Sequence, residues 1–168
     1  MSSLIMLNGI FELAALLGRQ LAARHWRLAL AESCTGGGIA QAVTDVPGSS
    51  AWFDRGFVTY SNAAKVEMLA VQQSTLDSVG AVSRETALEM AAGALAHSHA
   101  DLVFAVTGIA GPDGGSIDKP VGTVFIAWQQ RGHTGYCALR QFSGDRLAVR
   151  RQVIAFCLQQ ALEVMAKA

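Results

Sequence analysis

A chain of 168 residues, 51% hydrophobic and 15% charged, is long enough for one well-filled core and too short for two ordinary ones, so a single domain spanning 1–168 is expected. Its 13 Lys and Arg balance 13 Asp and Glu, which leaves no excess positive charge to displace counterions from a nucleic-acid backbone and argues against DNA or RNA as partners. Three cysteines, at 34, 137 and 157, are too few and too odd in number for a disulfide-stapled secreted scaffold and fit a reducing compartment, the cytoplasm.

Met1 to Arg24 interrupts its apolar residues with Asn8, Glu12, Arg19 and Gln20, so no signal peptide is expected. No run reaches the roughly 20 consecutive apolar residues of a membrane span. Apolar surface left over by so aliphatic a chain is expected to be covered by a second copy, making a homo-oligomer.

Leu13, Leu16, Leu17 and Leu21 recur at helical spacing and predict an amphipathic helix over Ile10–Arg24. Arg27–Glu32 is short and apolar, Ser33-Cys-Thr-Gly-Gly-Gly38 follows at once, and a helical pattern resumes over Ile39–Val43, which reads as strand, tight turn, helix. After the turn at Pro47–Ser50, Gly56–Tyr60 is strand-like and Asn62–Leu69 helix-like, capped by Ser61 or Asn62. Ser83 caps the next helix, whose small-residue stripe includes Ala87, Met90, Ala91 and Ala94. Leu102–Val106 is continuously apolar, as in a strand covered on both faces, and leads into the glycine-rich loop Gly108–Gly115. Val121–Trp128 and Gly135–Arg140 form a hairpin, and Asp145 caps a long last helix running towards Met165. Alternating strands and helices with one hairpin predict a three-layer α/β/α sandwich around a mixed, mostly parallel sheet.

Several residues could carry chemistry. Ser33 stands where a strand passes into a helix, and Gly36–Gly38 let backbone approach a ligand while helix N-terminal amides face it. Ser33 or Thr35 could equally be no more than a helix cap. The turn is not a Walker A loop, because it lacks the Gly-Lys-Ser/Thr ending, nor a Gly-x-Ser-x-Gly elbow, because Ala31 and Thr35 occupy the glycine positions. Lys65, one of three lysines, sits in the first turn of a helix, where the dipole and any burial lower its pKa enough to make it a base; an exposed surface lysine is the competing reading. Tyr60 either joins a proton network or closes a strand into the core. Arg146 offers a planar fork to a phosphate or carboxylate, with Arg150 and Arg151 on the same helix. Thr107 and Gly108 end a buried strand at the carboxyl edge of the sheet, where open α/β folds bind ligands. Cys34 as nucleophile lacks a histidine to pair with, and His97-Ser-His99 lacks metal-ligand spacing, so no metal is expected.

Taken together, Ala31-Glu-Ser-Cys-Thr-Gly-Gly37, Thr59-Tyr-Ser-Asn-Ala-Ala-Lys65, Gly80-Ala-Val-Ser83, Val106-Thr-Gly-Ile-Ala-Gly-Pro-Asp-Gly114, Lys119-Pro-Val-Gly-Thr123 and Phe142-Ser-Gly-Asp-Arg146 resemble the CinA C-terminal domain family, over nearly the whole chain from about Leu13 to Leu162. The resemblance implies a three-layer α/β/α fold and the deamidation of nicotinamide mononucleotide to nicotinic acid mononucleotide and ammonia. By motif it makes Ser33 the nucleophile, Lys65 its activating base and Tyr60 a partner in the same proton network. Thr107, Gly108 and Arg146 then line the substrate pocket. The turn amides of Cys34, Thr35, Gly36 and Gly37 are the expected oxyanion donors, and the phosphate is expected on Arg146 or a glycine loop. No cofactor is required, because the pyridinium ring itself withdraws electrons from the amide. A non-catalytic nucleotide- or partner-binding module, or an amidase of another small amide, remain the alternatives. At Leu69-Ala-Val71 the family usually has Leu-Gly-Val, and Ala70 is expected to cost little provided the position does not need a positive φ.

Overall fold

In the computed structural model the structure describes residues 2–168, with side chains from residue 9 onward. Part of the expectation about a leader falls on Met1–Asn8, whose side chains lie outside the described ones. Among the described residues no helix is long and apolar enough to cross a membrane.

Five strands, β1 (Leu28–Glu32), β2 (Phe53–Val58), β3 (Leu102–Gly108), β4 (Thr123–Gln130) and β5 (Tyr136–Gln141), form one sheet in the order β2-β1-β3-β4-β5. β1 pairs in parallel with β2 and β3, and the β3–β4 and β4–β5 ladders are antiparallel. β4 alone therefore runs against the other four, and the sheet is mixed as expected. The order reverses at β1: β2 lies on one side of it and β3 on the other. The carboxyl ends of β1, β2 and β3 thus open a crevice at one edge of the sheet.

Side-chain alternation divides the core into two layers. Leu28, Leu30, Phe104, Val106 and Ile126 face α1 (Ser2–Ala23), α2 (Gly38–Thr44) and α6 (Arg146–Lys167). Ala29, Ala31, Val103, Ala105 and Ala127 face the opposite layer, α3 (Asn62–Leu69), α4 (Gln73–Val79) and α5 (Arg84–Ala96). Alanines on both surfaces bring α5 close to the sheet, and a Cβ added at Gly93 of α5 would lie 1.9 Å from the Leu69 carbonyl oxygen at the end of α3.

The boundaries differ from the sequence reading for identifiable reasons. α1 begins at Ser2 rather than Ile10, since nothing at Gly9–Ile10 caps a helix. Its buried stripe is Ile10, Ala14, Leu17 and Leu21, with Leu16 turned outward. β2 lies upstream of the expected Gly56–Tyr60: its register with β1 ends at Glu32 opposite Val58, and past Thr59 the chain leaves the ladder so that Tyr60 reaches the crevice. β4 starts at Thr123, because Val121 and Gly122 belong to the turn in which the Gly122 amide donates to the Ile109 carbonyl at 2.7 Å. α4 leaves no periodic trace because Leu76 is its one buried residue. Asn62–Leu69 and the caps Ser61, Ser83 and Asp145 stand as read, each cap oxygen accepting an amide three residues on.

Ala70 departs from its expectation. It closes α3 at φ 54°, ψ 30°, a left-handed position that an L-side chain occupies at a cost of about 1–2 kcal/mol. A glycine at this position would relieve that strain.

Candidate active site

Ser33 leaves the end of β1 with its amide donating to the Val106 carbonyl of β3 at 3.1 Å, so its position is set by the two central strands. Across the crevice, the Thr59 amide donates to the Glu32 carbonyl at 2.8 Å, continuing the β1–β2 ladder one residue past β2. Ser61 then starts α3, and the first full turn of that helix carries Lys65 inward. Lys65 is only 1% exposed, so the reading of it as a surface lysine falls. Its Nζ donates to the Thr59 carbonyl at 2.7 Å and lies 3.1 Å from Ser33 Oγ.

No carboxylate among the described residues is within ion-pair reach of this amine. Burial therefore acts almost unopposed and holds its pKa below the ordinary lysine value of 10.5. A neutral amine with one N–H fixed on a carbonyl has its lone pair free for the Ser33 hydroxyl proton. Burial acts on Cys34 in the opposite sense, raising its thiol to about 11. The thiol is thus kept protonated beside Ser33, which argues against Cys34 as the nucleophile.

A cavity of about 240 Å³ opens over this pair, lined by Ser33, Cys34, Tyr60, Asn62, Lys65, Ala81, Val82, Thr107, Gly108, Ala110 and Arg146. Thr107 is buried, and its hydroxyl donates to the Ala81 carbonyl at 2.7 Å, which ties the end of β3 to the loop before α5. Gly108 packs under β4, where a Cβ would meet the Thr123 carbonyl at 2.6 Å. Arg146, first residue of α6, donates from Nη1 to the Gly111 carbonyl and from Nη2 to the Tyr60 hydroxyl, each at 2.7 Å. Tyr60 is 59% exposed and stands at the rim with Arg146. Its hydroxyl bonds the arginine rather than Ser33 or Lys65. Two of the five guanidinium N–H groups are engaged in this way, and the others are available to an anion.

The structure does not bring all the expected residues to the cavity. Thr35, Gly36 and Gly37 lie outside its lining, and most of the turn's amides are already taken. Gly36 donates to the Ser33 carbonyl at 3.0 Å and Gly38 to the Thr35 carbonyl at 3.1 Å. Gly37, Ile39 and Ala40 donate to the Glu32 carboxylate. Among the described residues of the turn, the amides of Cys34 and Thr35 are the ones that donate to no carbonyl or carboxylate oxygen. The expected oxyanion donors therefore narrow to the Cys34 amide, since Thr35 is buried away from the cavity. Sequence reasoning missed Glu32, Asn62, Ala81, Val82 and Ala110. Asn62 was read as a possible cap, but Ser61 takes that role and leaves Asn62 at the cavity.

A buried serine–lysine pair at the switch point of an open α/β sheet, with an arginine at the rim, is an arrangement chemically able to supply a nucleophile and a base for acyl transfer. The model of the CinA C-terminal domain matches residues 10–165, and the chain belongs to that family. It is 54% identical over 158 residues to the nicotinamide-nucleotide amidohydrolase PncC of Enterobacter agglomerans, covering 94% of this chain and 96% of that protein. It is 51% identical over 150 residues to the protein of the same name from Escherichia coli K12, covering 89% and 91%. The crystal structure of the competence/damage inducible protein CihA from Agrobacterium tumefaciens superposes with a TM-score of 0.90 at 45% identity, covering 94% of this chain and 96% of that one.

Proposed function

We propose that this protein is a nicotinamide-nucleotide amidohydrolase that deamidates nicotinamide mononucleotide by a Ser33 nucleophile and a Lys65 base. The observation that carries the mechanism is the buried Lys65 amine, without a counter-ion, 3.1 Å from Ser33 Oγ. The names of the relatives carry the substrate.

In this reading Ser33 Oγ attacks the carboxamide carbon while Lys65 Nζ takes the hydroxyl proton. The C–O bond forms, the carbonyl electrons move to oxygen, and the amide of Cys34, the turn residue beside Ser33 that lines the cavity, receives that oxyanion, a contribution of about 3 kcal/mol for one such donor. Collapse breaks the C–N bond, and the proton held by Lys65 passes to the departing nitrogen to give ammonia. Water, deprotonated by the same amine, then cleaves the ester and returns Ser33 to its starting state. The remaining Arg146 N–H groups hold the phosphate at the rim, with Tyr60 fixing the guanidinium plane.

Three free cysteines suit a cytoplasmic enzyme. Tyr136 and Leu139, exposed on the open edge strand β5, are where a second copy would build a homo-oligomer, which light scattering of the parent beside Leu139→Asp would test. The deciding experiment is ammonia release from nicotinamide mononucleotide by the parent, Ser33→Ala and Lys65→Met proteins. Release by the parent and its loss in both folded variants is the expected result. A folded parent that releases none from this nucleotide at high enzyme concentration overturns the proposal.

A further inference from the structure

Immediately before the nucleophile stands a buried carboxylate to which the mechanism above gives no task. Glu32 is 1% exposed. Its backbone is held on both sides, opposite Val58 in β2 and Val106 in β3. Its side chain reaches over the Ser33–Gly36 turn to the start of α2. There Oε2 accepts the Thr35 hydroxyl at 2.6 Å and the Gly37 and Ile39 amides at 3.1 Å each, and Oε1 accepts the Ala40 amide at 2.7 Å.

A buried ion is expensive unless its hydrogen-bonding capacity is filled. Four donors fill it here, and three of them are amides at the start of a helix, where negative charge is favoured. The alternative cap was at hand, since Thr35 lies in the same turn, yet its hydroxyl serves the carboxylate. One further side chain holds the turn from the same layer as α2: Arg150 of α6 donates to the Thr35 carbonyl. Ser33 and the amides of Cys34 and Thr35 therefore sit on a short arch fixed at one end by the β1 ladders and at the other by the Glu32 carboxylate. Lys65 comes from a different element, α3, so the distance between Oγ and Nζ is only as well defined as this arch.

We propose that Glu32 is a positioning residue for the Ser33–Lys65 pair, its carboxylate gathering the amides of Gly37, Ile39 and Ala40 and the Thr35 hydroxyl so that the turn holds Ser33 Oγ against Lys65 Nζ. The proposal rests on the reading of Ser33 as nucleophile. It has a corollary for substrate orientation. The amides of the glycine turn are engaged by the protein's own carboxylate, which leaves the free N–H groups of Arg146 in the cavity lining to receive a nucleotide phosphate.

The test compares the parent with Glu32→Gln and Thr35→Val, each checked for folding by circular dichroism and thermal melting. Two rates are measured: turnover of nicotinamide mononucleotide, and covalent labelling of Ser33 by diisopropyl fluorophosphate, which needs the pair but none of the nucleotide contacts. Glutamine keeps one acceptor oxygen and turns an NH₂ towards amide donors. It is expected to lower kcat and the labelling rate together by about 100-fold, the scale of an ångström's misplacement, with KM nearly unchanged. Thr35→Val removes one donor and is expected to fall between Glu32→Gln and the parent.

A folded Glu32→Gln protein whose kcat and labelling rate stay within about twofold of the parent overturns the proposal. So does a loss confined to KM with labelling intact, which would make Glu32 a substrate-binding group. If Glu32→Gln does not fold, the same split in Thr35→Val decides: a fall in kcat and labelling supports positioning, and parent-like rates overturn it. A parent that labels at Ser33 but does not turn over the nucleotide sinks the substrate assignment while the labelling rates still test Glu32. A parent that does neither overturns both.

Discussion

Replacing Lys65 by methionine separates what the buried amine does for chemistry from what it does for the fold. Methionine follows the same unbranched path through the slot between Ser33 and Thr59 but ends in a thioether, which is no base at neutral pH. Loss of a general base slows turnover by about 10²–10⁴-fold, or about 3–5 kcal/mol in the barrier. Stability responds differently. The variant loses the 2.7 Å bond to the Thr59 carbonyl, and a buried carbonyl left unpaired costs about 1–3 kcal/mol. It also sheds the desolvation of an amine that is 1% exposed, which offsets that loss by an amount that depends on pH.

The sign follows from the depressed pKa. Above 10.5 the amine is neutral both folded and unfolded, and burial carries no charge penalty. As pH falls, the unfolded chain takes up the proton first, and the parent loses stability until the folded amine is itself protonated. Methionine has no such term. In urea unfolding from about pH 10 down to about pH 6, the parent's advantage over Lys65→Met should therefore shrink or reverse, and in the parent kcat/KM should rise with pH as the amine is deprotonated. Parallel stability curves for the two proteins, or a folded Lys65→Met protein that keeps more than a tenth of the parent's turnover, would refute a buried neutral base.

Four further outcomes follow from the site and its supports. Tyr60→Phe removes the hydroxyl that accepts from Arg146 and should raise KM while leaving kcat within severalfold, whereas a collapse of kcat by more than about 100-fold would make Tyr60 a proton relay. Arg146→Met, by losing charge-assisted bonds worth about 1.5–3 kcal/mol, should raise KM for the nucleotide by about 10–150-fold and leave the unphosphorylated nucleoside unaffected; an equal loss on both would remove the phosphate from this residue. With its thiol raised to about 11, Cys34 is about 10⁻³ thiolate at pH 8, so iodoacetamide should spare activity under conditions that alkylate the unfolded chain fully; inactivation in step with Cys34 modification would contradict this. Ala70→Gly relieves a left-handed cap on the helix that bears Lys65 and should gain about 0.5–1 kcal/mol net of the glycine's extra unfolded-state entropy, a rise of about 2 °C in Tm; a lower Tm would refute the strain.

The elements legible in the sequence were those with a periodic stripe or a capping side chain. α3, α5 and α6 have caps that announce themselves in Ser61, Ser83 and Asp145, and β3 is a continuous apolar run bounded by glycines. α4 has neither signal, and its place rests on neighbours: the Glu89 carboxylate of α5 accepts the Gln72 amide at 2.7 Å and the Thr75 hydroxyl at 2.6 Å. Such contacts between residues 14 and 17 positions apart have no local pattern to betray them. The burial of Lys65 was equally hidden, because its cause is the approach of α5 and the sheet to the inner face of α3, a tertiary fact. Spacing alone could describe Lys65 only as a helix lysine.

Glu32 and the glycines beside it show how a correct local reading can assign the wrong occupant. Three successive glycines before a helix do mark a site for negative charge, and a carboxylate does occupy it. That carboxylate belongs to the last residue of the preceding strand, one position before the nucleophile. The signal was present in the sequence as an acidic residue closing an otherwise apolar strand, Leu28–Glu32, at a place where it must be buried between two neighbours. A buried acid at that point has to find donors, and the nearest unsatisfied ones are the amides that open the next helix. The glycines then serve the protein's own turn: Gly36 and Gly37 adopt φ values of 60° and 92° that let the chain fold back over Glu32. The Cys34 amide, which donates to no oxygen of the turn, is next to Ser33 in the cavity lining, where an acyl-transfer oxyanion would form.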